Sequence, residues 1–191
     1  MKAAAEAGPS TDQVDLDLVL KFINTWNIEE RTDSLSSPKG LASWFSHAGL
    51  AQGKLRATEA DLHLFLRIRE GLRALAMLNN EISPEARPLL ELREVVENQP
   101  VQFTVNENGQ LRLVSLGSGW SRLAASILLE VYRSMISGSW TRLKTCRSET
   151  CLKAFYDHSR NHSGKWCSMS VCGNRMKVRN YFSKNIPRMN T

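Results

Sequence analysis

Four cysteines set the tightest constraint on what this chain can fold into. Cys146, Cys151, Cys167 and Cys172 are its only cysteines, and all fall within 27 residues in the pattern C-x4-C-x15-C-x4-C. A module of about 45 residues around them buries too little apolar surface to fold securely unaided. A bound metal would supply the missing folding free energy. Zinc prefers four soft ligands arranged tetrahedrally, and two short Cys pairs separated by a longer segment bring four thiolates together without strain. The expected cofactor is therefore one structural Zn²⁺. Four thiolates leave no open position for water, which argues against a zinc hydrolase. A thiol redox role is the weaker reading, because nothing marks one cysteine as an activated nucleophile. His158 and His162, four apart in the intervening loop, are the rival ligands and read better as solvated loop residues once four thiolates complete the shell.

The surroundings of the cluster fit this assignment. No stretch approaches the roughly 18 apolar residues that a membrane span requires, and MKAAAEAGPSTDQ carries no apolar run behind its lysine. The chain is expected in the cytoplasm and off the membrane, where clustered cysteines hold metal more often than they form disulfides. Charge divides the chain in two. Residues 1–136 carry 14 Lys+Arg against 17 Asp+Glu, a net of −3, whereas residues 137–191 carry 11 against 2, a net of +9. A basic segment on an acidic body points to an anionic partner, nucleic acid first, with a solubilising tail as the plainer reading.

Ahead of the cluster the pattern is mostly helical. Val14–Trp26 is an apolar run that reads as a buried helix or strand, and Ser36, Ser37 or Pro38 opens a helix through Leu41, Trp44 and Phe45 that ends at Gly49. From Thr58, Ala60, Leu62, Leu64, Phe65, Ile68, Leu72 and Leu75 trace one side of a long helix, with Thr58 at the N-cap three residues ahead of Asp61. Glu85–Val96 is a shorter helix after the break at Pro84. VQFTV and QLRLVSL then alternate apolar with polar around Asn106-Glu107-Asn108-Gly109, a β-hairpin with Asn-Gly at its turn. Leu123, Ile127, Leu128, Val131, Tyr132 and Met135 line a last helix ending at Gly138. The predicted class is α+β: a mostly helical domain over 1–138 with one β-hairpin, and a small treble-clef-like zinc finger, hairpin plus helix, over 139–191.

Within the finger, Lys153–Tyr156 and Lys165-Trp166 read as two short strands joined by the loop Asp157–Gly164, with Phe155, Tyr156 and Trp166 as a minimal core. Ser168–Phe182 reads as a helix whose first turn carries Cys172. Val171, Val178, Tyr181 and Phe182 share the side expected to pack on the finger. Lys177, Asn180 and Lys184 project from another side, with Arg175 and Arg179 between. Lys177, Arg179 and Lys184, with Arg160 from the loop, are candidate nucleic-acid contacts. Asn174 and Arg175 serve equally well as contacts or as supports around the metal.

Cys172-Gly173-Asn174-Arg175 is the signature of the CGNR zinc fingers. The segment CRSETCLKAFYDHSRNHSGKWCSMSVCGNRMKVRNY resembles that family throughout, including Phe155, Asp157, Ser159, Arg160, Asn161, Trp166 and Lys177. The body resembles the ABATE domain that precedes this finger in bacterial proteins. Phe22-Ile23-Asn24-Thr25 matches its F-x-N-T element, Leu41 and Trp44 its next helix, and Arg69–Leu72 its R-E-x-L stretch, while Lys21 departs from the acidic residue expected there. The resemblance implies a stress-induced transcription regulator with a zinc-dependent DNA-binding function; the leading reading adds an N-terminal domain that senses a ligand or forms a homodimer. The alternative is a zinc-stabilised surface for an acidic protein, or for RNA stacked on Tyr156 or Tyr181. Asn24, Arg69 and Arg73 are candidates to line a small ligand pocket, although buried hydrogen bonding between helices explains them as well. With no Ser-His-Asp pattern, phosphate-binding Gly loop or helical His-x3-His pair outside the finger, no enzymatic activity is expected.

Overall fold

The computed structural model describes residues 16–51 and 55–185, the side chains of Lys184 and Asn185 excepted. The first apolar run is a helix, α1 (Leu16–Ile23), because Leu16, Val19, Phe22 and Ile23 recur at helical spacing on one buried stripe. Val14 lies outside the described residues. A two-strand ribbon of β1 (Trp26–Asn27) and β2 (Thr32–Asp33) follows. It leads into α2 (Pro38–His47), where the Ser37 hydroxyl accepts the Gly40 N–H at 3.1 Å and Pro38 fills the first helical position.

The central helix is α3 (Glu59–Leu78). Its first turn is closed by a reciprocal cap in which the Asp61 N–H donates to the Thr58 hydroxyl at 3.2 Å and the Thr58 N–H donates to the Asp61 carboxylate at 2.8 Å. Phe65 on this helix meets Phe22, Phe45 and Trp120 edge-on, with ring centroids 6.1, 4.7 and 5.7 Å away. That geometry adds aromatic attraction to plain burial. Trp120 belongs to α5 (Gly119–Ile136), which turns Leu123, Ala124, Ile127 and Val131 into the same core.

Against α3 packs α4 (Ala86–Glu97), and Gly71 sets how closely they approach. A Cβ at Gly71 would sit 2.4 Å from the Leu92 Cβ. Gly71→Ala is expected to destabilise the protein by about 1–3 kcal/mol through overpacking. The better helix propensity of alanine, about 1 kcal/mol, offsets only part of that. Thermal melts of Gly71→Ala check this, and a melting temperature equal to that of the wild type would show that the two helices part without cost.

Strands β3 (Val101–Val105) and β4 (Leu111–Ser115) pair antiparallel as the alternation predicts, with Gly109 at φ +75° in the turn. No residue of this hairpin enters the core. After α5, Gly138 at φ +79° is followed by a 3-10 turn (Ser139–Arg142) and by β5 (Leu143–Thr145), which pairs with β6 (Ala154–Tyr156) in the register Leu143↔Tyr156 and Thr145↔Ala154.

The finger hairpin thus differs from the expected one. Lys153–Tyr156 does form a strand, but its partner lies upstream of the first cysteine, and Lys165-Trp166 is not a strand. Two physical reasons favour the observed pairing. It buries Leu143 and Ala154 in the main core, and the Lys165 carbonyl is already engaged by the Arg147 N–H at 3.0 Å and the Asn80 amide at 3.1 Å. Tyr156 packs on the main core and Trp166 on the cysteines, so the expected minimal core of the finger is split between two clusters.

The last helix is divided as well. One turn of π-helix (Met169–Gly173), capped by the Ser168 hydroxyl, precedes α6 (Asn174–Asn185). Val171, Val178, Tyr181 and Phe182 are all exposed, so this side does not pack on the finger as expected. The result is an α+β chain with a mostly helical body and a small C-terminal zinc-finger-like unit, as the sequence predicts. Among the described residues, no helix is long and apolar enough to cross a membrane.

Candidate metal centre

Each cysteine is presented by a different piece of backbone. Cys146 leaves the end of β5, and its N–H donates to the Lys153 carbonyl at 2.9 Å, which holds the start of the loop against its end. Cys151 sits in a turn closed on the Ser148 carbonyl, with Leu152 at φ +46° redirecting the chain into β6. Cys167 precedes the Ser168 cap, and Cys172 lies in the π turn.

The four Sγ atoms lie within 4.8 Å of one another, with Cys151–Cys167 and Cys167–Cys172 both at 3.7 Å. Zn–S bonds of about 2.3 Å in a tetrahedron put sulfurs about 3.8 Å apart, so this spacing fits one zinc ion. It is far too long for a disulfide, whose S–S bond is about 2.05 Å. Cys146, Cys151 and Cys172 are buried, Cys167 is half-buried, and Trp166 covers the cluster. His158 stacks on Tyr156 at 4.9 Å, and neither His158 nor His162 joins the sulfur group. The chain therefore holds one structural zinc on four thiolates. Burial first, and then the neighbouring sulfurs, push the Cys172 thiol up to about 11 and the Cys167 thiol higher still. Zinc binds by displacing those protons, so its affinity falls as the pH falls.

The signature around the last ligand has a structural account letter by letter. Cys172 is a ligand. At Gly173 a Cβ would sit 2.5 Å from the Met169 sulfur and 3.2 Å from the Trp166 ring. The Asn174 amide donates to the Ser170 carbonyl at 3.1 Å across the π turn. Arg175 donates to Glu29 of the body at 2.8 Å, and this hydrogen bond with its charge raises the Arg175 pKa further.

Beside the metal lies a buried ion pair. Lys144 on β5 donates to Asp157 at 2.8 Å and also to the His162 carbonyl, and both charged side chains are buried. Asp157 accepts the N–H groups of Ser159 at 3.0 Å and Gly164 at 2.8 Å. Burial alone would push its carboxyl up, but Lys144, Ser159 and Gly164 together hold it well below the usual carboxylate range. The pair closes the loop that carries Arg160. Lys144 escapes the sequence reading because Leu143–Thr145 is too short for a periodic signal; Asp157 is visible only through the family resemblance.

A seam of polar bonds fixes this unit to the body. The Asn24 amide donates to the Ala154 carbonyl and accepts the Ala154 N–H, both at 2.9 Å. Arg73 donates to the Ile23 carbonyl at 2.6 Å, the Trp26 carbonyl at 3.2 Å and, across the seam, the Leu152 carbonyl at 3.0 Å. Burial lowers its pKa, against the opposing influence of Glu70. Arg69 grips Asp33 with two nitrogens at 2.7 and 3.1 Å and donates to Glu70 at 2.7 Å. At the end of α3, Asn79 donates to the Trp140 and Leu143 carbonyls, both at 2.8 Å, and Asn80 to the Thr145 carbonyl at 2.7 Å. Of the three residues proposed for a ligand pocket, Asn24 lines an open groove of about 460 Å³ bordered by Lys21, Trp44 and His47, while Arg69 and Arg73 do not.

The F-x-N-T and R-E-x-L elements meet where Arg69 donates to the Thr25 hydroxyl at 3.2 Å, and sequence comparison identifies both halves of the chain. A family model, ABATE, described as "Putative stress-induced transcription regulator", matches residues 16–137. The chain belongs to the ABATE family. Its CGNR zinc finger matches a second model over residues 142–185. No curated protein matches this ABATE chain.

The cations of the finger divide by partner. Besides Lys144 and Arg175, Arg142 donates to the Asp157 and Ser159 carbonyls and Arg147 to Glu81. Arg179 approaches Glu149 at a loose 3.8 Å. Lys153, Arg160, Lys165 and Lys177 are exposed, with no ion-pair partner among the described residues. Lys184 lies in the last turn of α6, its side chain outside the described residues.

Proposed function

We propose that this ABATE protein is a cytoplasmic, non-enzymatic transcription regulator that binds DNA through its zinc-built finger, as part of a bacterial stress response. The observation that carries the reading is the set of exposed finger cations with no ion-pair partner among the described residues, Lys153, Arg160, Lys165 and Lys177, joined by the loosely held Arg179. They stand on a frame fixed by zinc and by the Lys144–Asp157 pair, next to a body of net −3. Four thiolates and Zn²⁺ contribute −2, so the formal +9 of residues 137–191 becomes +7 and stays strongly basic. Asn174 and Arg175 act in this reading chiefly by shaping the start of α6, and Lys177 and Arg160 make phosphate contacts. Asn24 and Arg73 join body and finger, Arg69 ties α3 to the β1–β2 ribbon, and none of the three binds a ligand.

Mobility-shift titrations of the zinc-loaded protein on duplex DNA test the proposal. Binding should weaken linearly in log K against log salt, with a slope of about −0.9 per phosphate contacted. Lys177→Ala should weaken binding to all sequences and flatten that slope by about 1. Absence of binding at low salt would overturn the reading. Tighter binding to single-stranded RNA, through the exposed Tyr181 and Phe182 of α6, would replace DNA with RNA as the partner.

A further inference from the structure

The β3–β4 hairpin is turned the wrong way for a solitary molecule. Residues on one face of an antiparallel pair alternate along each strand, and the register Val101↔Ser115, Phe103↔Leu113 and Val105↔Leu111 gathers Val101, Phe103, Val105, Leu111 and Leu113 onto one face, with Ser115 at its end. That face carries no charge. It is nevertheless largely exposed: Phe103 and Leu111 are each 72% exposed and Val105 is 64% exposed, while Leu113 is half-buried. The opposite face is the more polar of the two, with Gln102 and Arg112 exposed and Thr104 and Val114 half-buried. A two-stranded ribbon alone is marginal in water and needs its apolar face covered to be stable. Among the described residues no third strand joins either edge.

We propose that a second copy of this chain covers this face, ribbon on ribbon, making the protein a twofold dimer centred near Phe103. Three observations select this occupant. The face is uncharged and apolar but for Ser115 at one end, so it offers nothing to a charged partner and matches an identical copy of itself, as a twofold interface requires. Its exposed side chains present on the order of 500 Å² per protomer, at the upper end of the apolar patches that monomers carry, and pairing two of them buries about 1,000 Å² in total, the lower limit for a specific interface. The chain ahead of α1 cannot serve instead, because Met1 and Val14 are the only large apolar side chains among its first fifteen residues. Phe103, in the middle of β3, is the expected anchor of the contact. The inference is independent of what the finger binds.

Sedimentation equilibrium on the full zinc-loaded chain tests it. The wild type should show twice the 21.5 kDa monomer mass at concentrations of about 10–100 μM. The double variant Phe103→Glu/Leu111→Glu should associate at least about 30-fold more weakly, with its zinc content and melting of the isolated monomer unchanged, because both side chains lie outside the core. Hydrogen exchange of the β3–β4 amides in the wild type provides a readout that does not depend on the variant folding: it should slow as protein concentration rises across the association range. A wild type that remains monomeric at about 100 μM, whether or not another protein binds the ribbon, overturns the proposal. So does a dimer that survives the double substitution, or one that leaves exchange in the ribbon unchanged.

Discussion

Chelation of the zinc should lower the melting temperature of the entire protein by about 10–20 °C, not only melt the finger. Structural zinc contributes an apparent 10–16 kcal/mol to small four-ligand modules, so the finger does not remain folded without it. The body then loses more than a neighbour. Trp140, Leu143 and Ala154 leave the main core, and the side chains of Asn24, Arg73, Asn79 and Asn80 lose carbonyl partners while still packed against α1 and α3. A buried polar group deprived of its partner costs about 1–3 kcal/mol, and a chain of this size shifts by about 2–4 °C per kcal/mol. Asn24 and Asn79 are only half-buried, so about 5 kcal/mol for the four side chains together is the expected loss, and it gives the stated fall. Circular dichroism at 222 nm, which reports mainly the helices of the body, should show the shift on adding chelator and its reversal on adding Zn²⁺, and Cys172→Ser should reproduce it. A body that melts at the same temperature with and without zinc would show that the seam carries no energy.

Lys144→Met is expected to cost about 3–5 kcal/mol, the second largest effect and the largest from a residue that is not a ligand. The substitution leaves the buried Asp157 charge facing a thioether, with only the Ser159 and Gly164 N–H donors to stabilise it. Its pH dependence follows from the direction of the Asp157 shift. A carboxyl held below its unfolded value adds stability that is fully present above the unfolded pKa of about 4 and disappears only as the pH falls through the lower folded value. The wild type should therefore keep this contribution unchanged between pH 8 and about 5.5, whereas in the variant burial without Lys144 pushes the Asp157 carboxyl up, so the gap should be widest at pH 8 and should only narrow as the pH falls. Urea unfolding of the zinc-loaded proteins at several pH values in that window measures it, and a gap that grows toward pH 5.5 would mean that Lys144 does not hold Asp157 in its charged form.

The contrast between what the sequence disclosed and what it concealed follows the range of the interactions. The ligand set was legible because cysteines at that spacing have few other uses, and the caps at Ser37 and Thr58 because they act within three residues. The turn at Asn106–Gly109 was equally local. The pairing of β5 with β6 was not, since it is decided by the burial of Leu143 in a core built from α1, α3 and α5. Asn79, Asn80 and Glu81 read as an ordinary helix end, yet they receive the finger through bonds that span more than sixty positions in sequence. The amphipathic pattern of α6 misled for a related reason. Periodicity shows that a face is apolar, but it does not say what lies opposite, and Val178, Tyr181 and Phe182 are all more than half exposed.

The amide of Asn24 meets both the N–H and the C=O of Ala154, and so does for β6 what a neighbouring strand would do. An unpaired strand edge is a template on which other chains can add and aggregate. In this protein the safeguard for the finger's edge resides in α1 and its immediate continuation, about 130 residues earlier in the chain. A finger severed from the body would keep all four zinc ligands and lose that cover, so the smallest unit that can bind metal is smaller than the smallest unit that can stay in solution.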